Sequence, residues 1–210
     1  MQGKKKIINK TKKKNIKIIK SVGKTSLLNQ YVKQNFSLQY KPTIGADFLT
    51  KETEINETLV SLQLWDTAGQ EKFHSMGASF YRNSECCVLV FDLTDEKTFE
   101  TIDSWRVEFL NQLNPKDPDN FPFVLIGNKC DQTDNIKVSI DKINRYCEKN
   151  KNMQYFQTSA KDNIKVDDAF QLVGKLAFNR NSNNEMSFIP NKKIVLTQNV
   201  DNTKKKKCCG

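Results

Sequence analysis

The sequence predicts an α/β fold, a six-stranded and mostly parallel sheet with helices on both faces. Apolar runs alternate with amphipathic stretches between about residues 16 and 178, the order produced by parallel strands joined through crossover helices. Two of those runs, Cys86 to Phe91 and Phe123 to Ile126, are continuously apolar. That suits strands covered on both faces and places them in the middle of the sheet.

Taken in order, Ile16 to Ile19 reads as a short first strand, and Lys24 to Lys33 as a helix opened by Thr25 and Ser26. Asp47 to Ile55 and Thr58 to Trp65 read as a hairpin about Asn56-Glu57, with Leu59, Leu62 and Leu64 among its apolar residues. After the strand at Cys86 comes a helix over Thr98 to Asn111, then a loop marked by Pro115 and Pro118. Ser139 to Lys149 and Val166 to Phe178 are further helices, separated by a last strand over Met153 to Gln157. From Asn179 the chain is rich in Asn, Lys and Ser without periodicity, which predicts a flexible tail. The expected organisation is a basic extension over 1–15, one folded domain over 16–178 and a tail over 179–210.

Charge and cysteine content narrow the function. The net charge of +10 divides into +8 over residues 1–17, +5 over 179–210 and −3 between them. A nucleic-acid-binding domain clusters its basic residues on a structured face, and here they lie in two low-complexity ends, so no nucleic-acid partner is expected. A basic tail near an anionic membrane surface fits better. The apolar runs fall far short of the roughly 20 residues of a membrane-spanning helix, and no secretory signal opens the chain, which points to the cytosol. Cys86, Cys87, Cys130 and Cys147 lack metal-type spacing and are expected to be free thiols in the core.

Four short motifs carry the chemistry. Gly23-Lys24-Thr25-Ser26 lies between a strand and a helix, where a phosphate loop has a physical rationale. Backbone amides from Ser21, Val22 and Gly23 into Ser26 and the Lys24 ammonium would meet phosphates, while the Thr25 hydroxyl would bind Mg²⁺. The full pattern is G-x-x-x-x-G-K-[ST], and the residue five before Gly23 is Ile18 rather than glycine. Asp66-Thr67-Ala68-Gly69-Gln70 ends a strand, so that Asp66 can hold a Mg²⁺ water, Gly69 can meet a γ-phosphate and Gln70 can orient an attacking water. Asn128-Lys129-Cys130-Asp131 and Thr158-Ser159-Ala160-Lys161 both follow strands, where open α/β sheets bind ligands. The Asp131 carboxylate can accept both N–H groups on the edge of guanine, and adenine offers no matching pair, which favours GTP over ATP.

This order of motifs, with Thr43 between the first and second, resembles the small GTPases of the Ras superfamily, which share the P-loop NTPase G domain. Ile44-Gly45-Ala46-Asp47-Phe48, Asp66 to Glu71 and Phe80-Tyr81-Arg82 are similar to Rab signatures. Asn29 to Val32, Ile44 to Glu52 and Asn120 to Val124 are most similar to the late-endosomal and lysosomal subgroup, the seventh of the Rabs. The resemblance implies a switch that cycles between GTP and GDP, hydrolyses GTP slowly without an activating partner, and recruits effectors in vesicle and endosome-lysosome traffic. Lys24 becomes the β/γ-phosphate lysine, Thr25 and Thr43 the Mg²⁺ hydroxyls, and Asp66 the Mg²⁺ carboxylate. Phe36 falls where the family stacks an aromatic on guanine, although a core position suits it equally. Asn128, Lys129 and Asp131 flank and read the base, and Ser159, Ala160 and Lys161 complete its pocket. Residues 36–47 and 69–82 would be the two switches, and Phe48, Trp65 and Phe80 the aromatic triad that effectors bind. The implied partners are an exchange factor, a GTPase-activating protein, an escort protein, a dissociation inhibitor and effectors. Lys204 to Lys207 followed by Cys208 and Cys209 implies double prenylation of the tail.

The missing first glycine sets a second expectation. About five residues of the usual strand end and loop are absent between Ile19 and Ser21, and the polar run Asn9 to Asn15 is a poor candidate for a buried central strand. The alternatives are a degenerate Rab-like module with impaired nucleotide binding, or an incomplete gene model of an active GTPase. Restoring a segment like Leu-Gly-Asp-Ser after Ile19 is expected to tighten GTP binding.

Overall fold

The computed structural model describes residues 11–19, 22–39, 43, 46–67 and 81–182. Among them the strands are β1 (Lys12–Ile19), β2 (Ala46–Ile55), β3 (Thr58–Thr67), β4 (Cys86–Asp92), β5 (Phe123–Asn128) and β6 (Gln154–Gln157). The helices are α1 (Lys24–Lys33), α2 (Glu96–Glu100), α3 (Ile102–Leu113), α4 (Ile140–Lys149) and α5 (Val166–Ser182). The strands form one sheet in the order β2-β3-β1-β4-β5-β6, in which only the β2–β3 pair is antiparallel. That is the expected architecture. The hairpin turns at Asn56 and Glu57, both with positive φ, as a two-residue turn matched to the strand twist requires.

Apolar side chains divide between the faces. Ile16, Ile18, Leu62, Leu64 and Val88 pack with Leu27 and Leu28 of α1 and Phe170 and Val173 of α5. Ile19, Cys87, Leu89 and Phe91 pack on the other side with Phe99 of α2, Ile102 and Phe109 of α3 and Ile143 of α4. β4 and β5 are buried along their whole length, which explains why their sequences are apolar without alternation. Cys86, Cys87 and Cys147 are buried free thiols, and Cys130 is half-buried. None of the helices described is long and apolar enough to cross a membrane.

The first strand departs from expectation. It begins at Lys12, not Ile16, and the polar residues Lys12 to Asn15 pair in register with Val60 to Gln63 of β3. Pairing uses backbone groups alone, and a lysine can bury its four methylenes if its ammonium finds a partner. Lys14, 2% exposed, has its Nζ 3.5 Å from Glu85, whose other carboxylate oxygen accepts the Asn15 amide at 2.6 Å. Lys17, 1% exposed, places its Nζ 3.7 Å from the ring centroid of Trp65, a cation–π contact. Burial pushes the Lys17 pKa down to about 7. A polar run therefore does occupy the centre of the sheet, with its charges met locally.

Two smaller boundaries also moved. The helix expected over Thr98 to Asn111 is two helices that part at Thr101, the first capped by the Asp95 carboxylate accepting the Lys97 amide. The last helix continues to Ser182, past the expected start of the tail at Asn179. The parallel strands β1, β3, β4, β5 and β6 end at Ile19, Thr67, Asp92, Asn128 and Gln157. Their carboxyl ends share one edge of the sheet, where ligands bind in folds of this kind.

Candidate functional site

A cavity of about 1000 Å³ opens at that edge. Its floor at one end is the start of α1, where Gly23 caps the helix with φ 89° and its carbonyl accepts the first helical bond from Leu27. A side chain at Gly23 would meet the Asn128 amide nitrogen at 2.7 Å, so both conformation and space require glycine. No side chain caps α1 and no acid lies in its first turn, which leaves its amides and positive dipole end facing the cavity. Lys24, 4% exposed, lines the same end. Burial lowers its pKa to about 8, against the attraction of Asp66 that raises it, so it stays mostly protonated at neutral pH. Val22 and Ser26 line this end too.

Thr25, Thr43 and Asp66 come from a helix, a loop and a strand and meet in one place. The Thr25 hydroxyl donates to Asp66 Oδ2, lies 2.9 Å from the Thr43 hydroxyl, and Thr43 Oγ1 is 3.3 Å from the same carboxylate oxygen. Asp66 Oδ1 is buried and has no hydrogen-bond partner among the described residues. Burial pushes the Asp66 pKa up, opposed by Thr25, Lys24 and Thr43. A carboxylate so enclosed beside two hydroxyls is a donor set that fits a hard divalent cation.

The other end of the cavity is lined by Asn128, Lys129, Asp131, Ala160 and Lys161. Asn128 ties the loops together: its side-chain nitrogen donates to the Val22 carbonyl at 3.1 Å, and its oxygen accepts the Ala160 amide at 3.2 Å. Asn128 is thus a brace between the helix-start end of the cavity and its far end. Ser159 is fully buried and does not line the cavity. Its hydroxyl donates to Asp131 Oδ1 at 2.7 Å and accepts the Asp162 amide at 3.0 Å, so it orients that carboxylate from behind. Phe36 lines the cavity and also packs against the core.

Phe48 and Trp65 sit opposite each other in the hairpin with ring centroids 4.9 Å apart, Phe48 42% exposed. Ser21, Gly69, Gln70, Phe80, Cys208 and Cys209 lie outside the described residues, as does most of the second switch. Sequence reading missed Asp92, Asp95, Thr98 and Asn135 on the cavity wall. The first of these had a usable signal: it is the last residue of a buried strand, at the ligand-binding edge.

A model of the Ras family matches residues 19–179. The Ras-related protein Rab-7b of Paramecium octaurelia is 47% identical over 188 residues, 90% of this chain and 91% of that protein. The Ras-related protein Rab7 of Drosophila melanogaster is 55% identical over 157 residues, 75% of each chain, and Rab-7a of Dictyostelium discoideum is 55% identical over 156 residues, 74% of this chain and 77% of that protein. Likeness of this extent does not favour a degenerate module. The chain belongs to the Ras family, as a Rab7-like small GTPase, a switch that binds guanine nucleotide and hydrolyses GTP.

Proposed function

We propose that the chain works as a Mg²⁺-dependent GTP switch on the cytoplasmic face of late-endosomal and lysosomal membranes. The observation that carries the nucleotide reading is one cavity holding an uncapped helix start with a buried lysine at one end and a serine-braced aspartate at the other. The separation of roles follows from the chemistry. Lys24 and the first amides of α1 bind and orient the phosphates, and Asp131 selects the base. Thr25, Thr43 and Asp66 would hold Mg²⁺, which when bound draws charge from the phosphate oxygens. Gly69 senses the γ-phosphate, and the Gln70 amide orients the attacking water. Residues 36–47 and 69–82 order around the γ-phosphate and relax on its loss, presenting Phe48, Trp65 and Phe80 to effectors. An exchange factor, a GTPase-activating protein, an escort protein and a dissociation inhibitor complete the cycle. Gln70→Leu is expected to leave GTP binding within about twofold while slowing partner-stimulated hydrolysis by about 100-fold, because the amide acts on the water alone. Single-turnover hydrolysis beside equilibrium binding checks this, and an equal loss of both would assign Gln70 a structural part.

The folded unit is flanked by the basic extension and the tail, whose Cys208 and Cys209 carry lipid. Two chains and the polybasic Lys204 to Lys207 supply the several weak signals that reversible anchoring needs. The double variant Cys208→Ser, Cys209→Ser is expected to move the protein from the membrane to the cytosolic fraction. Removing only the four lysines weakens membrane binding in a salt-dependent manner. A double variant that still sediments with membranes would reject the lipid anchor.

A further inference from the structure

Asp92 has no part in the roles assigned above, yet of the acids lining the cavity among the described residues it alone is buried. Its carboxylate is held from several directions. Oδ1 accepts the Thr94 amide at 2.9 Å and the Thr94 hydroxyl at 2.7 Å, while Oδ2 lies 2.5 Å from Lys129 Nζ. The backbone beneath it is fixed too. Asp92 pairs with Asn128 in the sheet, its amide donates to the Thr98 hydroxyl at 2.9 Å, and the Leu93 amide donates to the Asn128 carbonyl at 3.0 Å. Burial alone would raise the carboxyl's pKa, but hydrogen bonds from Lys129 and Thr94 and the ammonium's attraction hold it below the usual carboxylate range. It is therefore ionised at neutral pH.

Lys129 is the opposite kind of residue. It sits in the left-handed region with φ 68°, its side chain is 41% exposed, and it stands between Asn128 and Asp131 in the base-reading loop. A half-exposed ion pair adds little to folding stability. What it does supply is orientation, since a free lysine stem has many rotamers and a pinned one has few. We propose that Asp92 is a positioning residue for nucleotide binding: its carboxylate anchors the Lys129 ammonium and so holds the lysine stem as a fixed wall at the base end of the cavity. Asp92 itself touches no nucleotide in this arrangement. The inference rests on the guanine-nucleotide reading of the cavity.

The test is a double-mutant cycle on the full chain, read as release of fluorescent GDP into excess unlabelled GDP. Asp92→Asn keeps the acceptor for Thr94 and removes the charge, and is expected to speed release about tenfold, the scale of one side chain losing its preorganisation. Lys129→Met is expected to do the same or more. The double variant should release GDP no faster than Lys129→Met alone, because Asp92 acts only through the lysine. Thr94→Val, which loosens the carboxylate without changing its charge, should give a smaller increase that also vanishes in the Lys129→Met background. It stands in for Asp92→Asn if that variant does not fold. Release from Asp92→Asn at the wild-type rate, or effects of Asp92→Asn and Lys129→Met that multiply, would overturn the assignment while leaving the guanine site intact. A wild-type chain that holds no GDP would reject the guanine reading itself, and Asp92's role with it.

Discussion

Asp131→Asn is expected to weaken GTP binding by about 100-fold or more and to favour xanthosine triphosphate over GTP. In the proposed site the carboxylate would accept two N–H groups from guanine, and hydrogen bonds to a charged partner contribute about 1.5–3 kcal/mol each, where 1.4 kcal/mol is tenfold. An asparagine offers one acceptor and one donor, and faces guanine's exocyclic amine with a donor of its own. Xanthine presents an oxygen at that position, so the same asparagine donor becomes a partner. The structure sharpens the expectation, because the Ser159 hydroxyl donates to Asp131 Oδ1 at 2.7 Å and holds the group in place. The replacement should therefore change chemistry without changing position. Competition of both nucleotides against a fluorescent probe checks it, and GTP affinity unchanged from wild type would remove Asp131 from the base site.

How far the sequence reveals the molecule depends on which physical signal each part leaves. β4 and β5 are legible because burial on both faces demands unbroken apolar runs, and α1 is legible from Lys24 to Lys33 because a strand-loop-helix motif marks its start. Asp131, Asn128 and Ala160 are recognisable at the ends of strands, and the structure brings them to one cavity. β1 is not legible. Its lysines contradict a central strand by composition, and only the positions of Glu85, Trp65 and Phe178, brought near by the fold, show how the charges are met. The pairing made by Asp92 is hidden for a related reason, although its place at the end of a buried strand is legible. Its function runs through Lys129, which lies beyond the next strand along the chain, and no local pattern records that pairing. The division of the 96–113 region at Thr101 is likewise hidden, since both halves carry helical periodicity and only the cap at Asp95 marks the first of them.

Inserting Leu-Gly-Asp between Ile19 and Lys20 is expected to tighten Mg²⁺-dependent GTP binding by about 100-fold or more, the contribution of two or three added amide–phosphate bonds. In the chain as it stands, the position that the phosphate-loop pattern reserves for glycine is Ile18. That residue is fully buried inside β1, paired with Asp66 on one side and Val88 on the other, so its amide belongs to the sheet and cannot turn toward a ligand. Two residues, Lys20 and Ser21, span from the strand end at Ile19 to Val22, whose carbonyl is already engaged by Asn128. A loop this short has few amides to wrap around a phosphate, and the burden falls on the helix start and Lys24. Three residues, not the five or so expected to be absent, restore the spacing, since four residues, Asp, Lys20, Ser21 and Val22, then separate the new glycine from Gly23. The four-residue Leu-Gly-Asp-Ser segment overshoots that spacing by one and should help less. The insert follows the last strand residue, so β1 and its lysines keep their register, and any gain belongs to the loop. Titration of both chains with GTP at fixed Mg²⁺ decides the matter, and equal tight binding would show that the helix start and Lys24 suffice without the longer loop.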